Sequence, residues 1–336
     1  MSSRPHDALF KWAFESPADA AALLRELLPP AVREAIAWET LDDASGSFVD
    51  VTLGEGHSDL LFAARLRTRE RALVYLLIEH QSTEDPDMPL RMLSYQTQLW
   101  GRLRKAQREQ KQQPGAPLAP ILGVLVSHSP GGWTSARSFE QLLDPDAMAI
   151  PELAAMVPRL SMIVDDLALR SDTDLRARSL APFQKLALWM LRDARDPVRL
   201  LDGFDAWGPT ILEAGRTRSG LEAIEVLIRY LFQILDPVYF DILRAKLQEL
   251  GTRSTEIAMT IAEYLEEQGR KRGREEGRQE GRLEGRVVTL RSLLAYKFGT
   301  LDAATEARLH AAAPEALDRY LRRVLTADSL AAVFED

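Results

Sequence analysis

The sequence contains no cysteine, and this absence excludes several kinds of site at once. Disulfide bonds, thiolate zinc centres and cysteine nucleophiles all need a thiol, so a metal must be held by oxygen atoms or by the five histidines. Oxygen ligands favour hard cations over soft ones. The composition therefore predicts that a metal cofactor of this protein is Mg²⁺ or Mn²⁺.

Long apolar runs, a signal peptide and an excess of positive charge are also missing. No window approaches the roughly 18 consecutive apolar residues of a membrane-spanning helix, and the first 11 residues lack the basic head and apolar core of a signal peptide. We therefore expect a cytoplasmic protein without a membrane partner. A net charge of −8 means that any surface for nucleic acid must be local, because phosphate attraction supplies most non-specific affinity.

Hydrophobic periodicity predicts two helices, then a group of strands, then a helix and a further strand. Short connections between the first three strands indicate an antiparallel meander. The helix that follows has an apolar stripe at steps of three and four residues, from Met88 to Leu103. This order predicts an α/β or α+β fold in which helices flank one small sheet. The predicted strands cover residues 48–53, 59–66, 72–78, 121–126 and, within a mostly helical part from 133 to 250, residues 160–164.

An internal repeat occupies residues 269–286, where a Gly-Arg pair recurs every four residues. Glycine costs up to about 1 kcal/mol at each helical position, so this repeat needs a reason beyond solubility. A stripe of glycines lets a second helix approach, and arginines and glutamates on separate stripes would pair between two helices. We predict a homo-oligomer formed through this helix; a solvated spacer and an RNA-binding tract are the alternatives.

The stretch from residue 57 to 81 carries the chemistry that the sequence suggests. The buried strand predicted at 72–78 runs directly into Glu79, His80 and Gln81. Alternation along a strand puts Glu79 and Gln81 on one face and His80 on the other. A hairpin register that brought Asp59 beside Glu79 would pair two carboxylates able to bind a divalent cation, as metal-assisted phosphodiester hydrolysis requires. Ordinary surface charges at strand ends are the alternative.

Four segments together resemble the Rpn-type recombination-promoting nucleases, a transposase-like family of the PD-(D/E)XK nuclease superfamily. The segments are PHDALFKWAF at 5–14, SGSFVDVTL at 45–53, SDLLF at 58–62 and LLIEHQSTEDPDMPLRMLSYQTQLW at 76–100. The part from the Gly-Arg repeat to Phe334 is similar to a helical module of unknown function that is often joined to such proteins. The similar segments span most of residues 5–130 and 270–336.

This resemblance implies a restriction-endonuclease-like core with a small mixed sheet flanked by helices. It implies a DNA endonuclease that uses Mg²⁺ or Mn²⁺, with Asp59 and Glu79 as the metal ligands and with Asp59, Glu79 and Gln81 as the catalytic set. Gln81 stands where such nucleases ordinarily have lysine, and an amide orients a group without adding positive charge. The candidate DNA contacts are Lys11, Arg91, Gln98, Arg102 and Lys105, of which the last four are expected on the exposed face of their helix.

The predicted domains are a nuclease-like domain with a helical extension at 1–250, whose core covers about 5–130, the repeat helix at 251–288 and a helical module at 289–336. A second hypothesis belongs to another class: a non-catalytic DNA-binding or scaffold protein derived from a nuclease fold. His128 follows a predicted strand, but the sequence shows no second ligand near it. We therefore expect a structural role for His128.

Overall fold

The computed structural model describes residues 5–45, 60–67, 69–109, 115–217, 220–251, 255–310 and 312–334. The chain forms two compact units, which we call the first unit (Met1–Ile261) and the second unit (Ala262–Asp336). The three-part division made from the sequence stays a prediction. Among the described residues, no helix combines the length and the apolar character that crossing a bilayer requires.

In the described part of the first unit, a mixed five-stranded sheet forms the centre, and its strands lie in chain order from one edge to the other. The second strand is antiparallel to the first and to the third, whereas the last two strands run parallel to the third. This mixed sheet with flanking helices confirms the predicted fold class. The strands are β1 (Ile36–Asp43), β2 (Leu60–Leu66), β3 (Arg69–Gln81), β4 (Ile121–Ser127) and β5 (Ile163–Asp166).

Four of the five predicted strands overlap with strands of the structure, although β3 begins three residues earlier and β5 three residues later than predicted. The predicted strand at residues 48–53 and the position of Asp59 lie outside the described residues. The first described strand, β1, was not predicted, because its sequence IAWETLDD ends in polar residues and does not alternate cleanly. Pairing with β2 stabilises it, with a shift of register between Ala37 and Asp42.

Helices cover both faces of the sheet. The helices of the first unit are α1 (Pro5–Phe14), α2 (Pro17–Leu27), α3 (Pro30–Ala35), α4 (Met88–Glu109), α5 (Pro145–Met148), α6 (Pro151–Ala154), α7 (Asp172–Ala177), α8 (Pro182–Asp193), α9 (Pro197–Asp202), α10 (Phe204–Gly215), α11 (Gly220–Ile234) and α12 (Phe240–Gly251). Helix α1 packs against α2, α8 and α11. This packing brings the beginning of the chain close to residues more than 170 positions away, as the Gln184–Ala13 hydrogen bond shows.

Helix α4 lies on one face of the sheet, with its predicted apolar stripe turned inward. Met88, Met92, Tyr95 and Leu99 are buried against residues of β2, β3 and β4, and Leu103 packs at the margin of the same cluster. Glycine at position 123 of β4 permits this close approach, because a Cβ atom there would lie 2.7 Å from the sulfur of Met92. The periodicity of three and four residues thus fixed which side of α4 faces the sheet.

The second unit has its own small core. Helix α13 (Thr255–Phe298), of which residues 262–298 belong to this unit, contains the Gly-Arg repeat, and α14 (Ala303–His310), α15 (Pro314–Thr326) and α16 (Leu330–Val333) follow it. Leu290 and Leu294 of α13 pack with Leu317, Tyr320 and Phe334. In the described part of the chain, no atom lies within 4 Å of a Cβ placed on any of the five repeat glycines, apart from the local helix backbone and adjacent residues.

Candidate functional site

The end of β3 positions the polar residues that the sequence singled out. Strand alternation places the side chains of Glu79 and Gln81 on the face that α4 covers, and Gln81 Nε2 donates a hydrogen bond to Glu79 Oε1 over 2.8 Å. Glu79 is 0% exposed although it is an acid. Burial of an ionised carboxylate is costly without compensation, so its partners decide whether this site is stable.

Arg91, from the first turn of α4, supplies that compensation. Its Nη2 group donates to Glu79 Oε1, and its Nη1 group donates to Asp85 Oδ2 over 2.6 Å. The guanidinium carbon also lies 5.8 Å from the centre of the Tyr95 ring. The sequence placed Arg91 on the exposed face of its helix, but its side chain is only 26% exposed and turns toward β3. That expectation was wrong because helical position alone does not show where a long side chain bends.

The second carboxylate oxygen of Glu79 is available to another group. Oε2 is buried and has no hydrogen-bond partner among the described residues. An anionic oxygen in that state suits a hard cation, which would supply the missing compensation. Asp59 lies outside the described residues; it directly precedes Leu60, and Leu60 pairs with Ile78, the residue before Glu79.

A cavity of about 580 Å³ opens beside this edge of the sheet. Residues 5–7 at the start of α1 line one side, and residues 80–86 together with Arg91 line the other. Two contacts hold the loop at 82–86: Arg195 donates to the Ser82 carbonyl over 2.7 Å, and Glu84 accepts the Thr134 backbone N–H over 2.6 Å. Hydrogen bonds from Ser135 and Thr134 hold the pKa of Glu84 below its usual value. The cavity wall is therefore well anchored.

A cluster of three histidines lies on the opposite face of β3. His80 is stacked between Phe10, with ring centres 4.7 Å apart, and His128, with ring centres 5.1 Å apart. The His6 ring meets His128 edge-on at 5.0 Å. The Asp7 Oδ1 atom lies 3.0 Å from His80 Nδ1, and because a carboxylate only accepts, this nitrogen carries the proton. His128 therefore has two histidine neighbours that sequence spacing did not reveal.

This histidine cluster is not arranged as a metal centre. Among the described residues, no group of three or more histidine, aspartate or glutamate side chains has the geometry to hold an ion. Burial is the first cause that lowers the pKa of His80 and of His128, and burial with the nearby His80 and Arg195 lowers the pKa of His6 to about 4. The cluster is therefore neutral at pH 7, and its rings pack against one another and against Phe10.

We expect the first unit to lose stability as the pH falls from 7.5 to 5. Histidines with a lowered pKa stay neutral in the folded state, whereas the unfolded chain takes up protons below a pKa of about 6.5. Each histidine that stays neutral in the folded state then lowers the free energy of unfolding by about 1.4 kcal/mol per pH unit below that value. Urea unfolding followed by tryptophan fluorescence measures this, because all six tryptophans belong to the first unit.

The His128→Phe variant provides the control for this pH prediction. Phenylalanine keeps the stacking on His80 but cannot titrate, so the variant should show a smaller loss of stability between pH 7.5 and 5. Carboxylates with a lowered pKa, such as Glu84 and Asp172, titrate below about pH 4.5. They therefore contribute little to the change in stability between pH 7.5 and 5. An identical pH dependence in the wild type and in His128→Phe would contradict the prediction.

The other predicted site residues do not gather around Glu79. Lys11 is exposed on α1 and is not among the residues that line the cavity. Gln98, Arg102 and Lys105 lie about 10, 16 and 21 Å further along α4 than Arg91, at 1.5 Å per residue. Gln98 is exposed and donates to Ser94 Oγ, Arg102 is half-buried, and exposed Lys105 lies 4.0 Å from Glu109. The contacts of these four residues with DNA remain a prediction.

Fold and site together define an α/β protein with a buried acid and an amide at the end of a central strand. The chain belongs to the family described as "Putative transposase, YhgA-like", whose sequence model matches residues 4–213, more than half of the chain. This match confirms the resemblance on which the sequence analysis relied. No solved structure matches the chain.

Several curated relatives come from Escherichia coli. The recombination-promoting nuclease RpnA of strain K12 is 28% identical over 80% of this chain and 86% of its own length. The protein named inactive recombination-promoting nuclease-like protein RpnE, from the same strain, is 27% identical over 80% of this chain and 83% of its own length. The nuclease RpnD of strain O157:H7 is 31% identical over 49% of this chain and 62% of its own length. Over similar lengths, the chain thus matches both a named nuclease, RpnA, and a protein named inactive, RpnE.

Proposed function

We propose that this protein is a metal-dependent DNA endonuclease that hydrolyses phosphodiester bonds and acts in DNA recombination or in mobile elements. One observation carries the proposal: Glu79 is a buried carboxylate with one oxygen unpartnered among the described residues, at the end of a central strand beside a large cavity. The names of RpnA and RpnD support the same reaction class.

In this proposal Asp59 and Glu79 hold Mg²⁺ or Mn²⁺. Such a cation lowers the pKa of a bound water and stabilises negative charge on a phosphate under attack. Gln81 already donates to Glu79 over 2.8 Å, so its role is to hold that carboxylate in one orientation rather than to supply charge. The protein contributes to this metal site by holding the Glu79 carboxylate in a fixed position at the end of β3.

DNA is the proposed substrate, with contacts that begin at the cavity and continue along α4. Arg102 and Lys105 are the candidate phosphate contacts there, together with Gln98 and, from α1, Lys11. We also propose a homo-oligomer formed through the repeat helix, whose glycines leave room for a second helix. A local basic surface is required, because the net charge of the chain is −8.

A second candidate function is a non-catalytic scaffold. The observation that favours it is the occupation of Glu79 Oε1 by Arg91 and Gln81, an ion pair that stabilises the fold without any metal. RpnE, which is similar over 80% of this chain, is named an inactive protein. Cleavage and metal binding distinguish the two functions.

The test of the proposed function is nicking or cutting of supercoiled plasmid DNA by the purified full-length chain. We expect cleavage with Mg²⁺ or Mn²⁺, none with a chelator, and a loss of at least about a hundred-fold in Asp59→Asn. Asp87→Asn, an exposed acid next to α4, is the matched control and should cleave like the wild type. Metal-independent cleavage, or equal rates in the wild type and Asp59→Asn, would contradict the assignment of the metal site, whereas no cleavage by the wild type would leave the scaffold function.

A further inference from the structure

Arg91 bridges two acids at the wall of the cavity, and its hydrogen bonding is incomplete. One end of the guanidinium contacts Glu79 and the other contacts Asp85, while Nε is buried without an acceptor among the described residues. Arginine carries five N–H donors in a rigid fork. The side chain therefore retains donor capacity beyond the contacts that hold it on Glu79.

The charges around Glu79 set the Arg91 guanidinium against a metal ion bound to the same carboxylate. Two carboxylates and one guanidinium leave this group with a net negative charge, which attracts a divalent cation. A cation on Glu79 would stand close to the Arg91 guanidinium and repel it, since like charges at short range in a buried site interact strongly. Arg91 and the cation therefore compete for the same carboxylate.

We infer that Arg91 is an exchangeable cation: it neutralises Glu79 while no metal is bound, leaves Glu79 when a divalent cation binds, and then contacts the phosphate that is cleaved. The inference rests on the proposed function and deepens it. It assigns to Arg91 the positive charge that Gln81 cannot supply. An arginine fork also matches two phosphate oxygens, which a single ammonium group does not.

The structure provides the means for this exchange. Asp85 holds Nη1 over 2.6 Å from the loop before α4, so the whole guanidinium can pivot about this contact as Nη2 leaves Glu79. Arg91 lines the cavity, which gives the released end of the side chain room and access to a substrate.

Calorimetric titration of the metal-free, full-length protein with Mn²⁺ tests this inference directly. Arg91→Ala should bind Mn²⁺ at least about fivefold more tightly than the wild type, because the competing charge is gone. The same variant should cleave DNA at least about a hundred-fold more slowly at saturating Mn²⁺. Arg91→Lys, which keeps the charge, should lie between the two in both measurements.

Arg108→Ala is the matched control. It removes an exposed arginine from the same helix, about 25 Å from Arg91, and should change neither Mn²⁺ affinity nor cleavage. Tryptophan fluorescence shows whether each variant is folded, and Arg91→Gln replaces Arg91→Ala if alanine is not tolerated. A role limited to folding would lower both affinity and cleavage, so the opposite directions are the signature of exchange.

Two different failures can be told apart. In the first case, the wild type binds Mn²⁺ and this binding depends on Glu79, but the Mn²⁺ affinity of both Arg91→Ala and Arg91→Gln is equal to or weaker than that of the wild type. This result refutes the exchange and leaves the metal site in place. Unchanged cleavage in these variants would also refute the contact with phosphate. If the wild type shows no Mn²⁺ binding that depends on Glu79, the proposed function fails first, and the exchange fails with it.

Discussion

Replacing Glu79 with glutamine is expected to lower metal-dependent DNA cleavage by at least about a thousand-fold, equivalent to about 4 kcal/mol in the activation barrier. Glutamine has almost the same shape but carries no charge, so it keeps the packing at the end of β3 and loses most of the affinity for a hard cation. The Oε2 atom of Glu79, which has no hydrogen-bond partner among the described residues, is then no longer present as an anionic ligand. Mn²⁺ binding in calorimetry should therefore be lost together with cleavage.

The same substitution should leave the first unit folded. Arg91 loses one charged partner but keeps Asp85, and because its side chain is partly exposed, water can replace part of the lost contact. We expect a stability loss of about 1–3 kcal/mol, typical of a hydrogen bond to a charged group. Glu39→Gln is the matched control, since the Glu39 side chain is 66% exposed and pairs only weakly with Arg67. Cleavage by a folded Glu79→Gln variant at the wild-type rate would exclude Glu79 from the reaction.

The sequence predicted the parts of this site that depend on local periodicity. An apolar run that ends in Glu79, His80 and Gln81 predicts a strand. Alternation along the strand then predicts that Glu79 and Gln81 share one face. The apolar stripe of α4 was visible for the same reason. Both patterns are repeated over many residues, so each single position is supported by its neighbours.

Long-range contacts explain what the sequence did not reveal. His6, His80 and His128 come from three separate elements, and only the packing of α1 beside the sheet brings them together. Arg91 lies one helical turn from the loop that contains Asp85, yet nothing in helix periodicity shows that its side chain turns back to β3. Strand β1 forms because β2 offers it a partner, and such pairing outweighs a weak local pattern.

A second large effect is expected at the far edge of the sheet, where Asp165→Ala should destabilise the first unit by about 3–5 kcal/mol. Asp165 is buried at the end of β5 and accepts two hydrogen bonds of 2.7 Å from Arg178, with a further one of 3.3 Å from Arg170. Arg178 is only 8% exposed. Alanine at 165 would therefore leave a buried guanidinium without its carboxylate.

Urea unfolding followed by tryptophan fluorescence measures this loss, and Asp241→Ala is the control. Asp241 pairs with Arg244 over 2.8 Å but its side chain is 95% exposed, so the variant should lose at most about 1 kcal/mol. The double variant Asp165→Ala/Arg178→Met removes the stranded charge and should recover much of the stability. If it were no more stable than Asp165→Ala alone, the penalty would come from lost packing around β5 rather than from the unpaired arginine. Recovery would instead show that this edge of the sheet depends on charge neutralisation, the same requirement that Arg91 meets at Glu79.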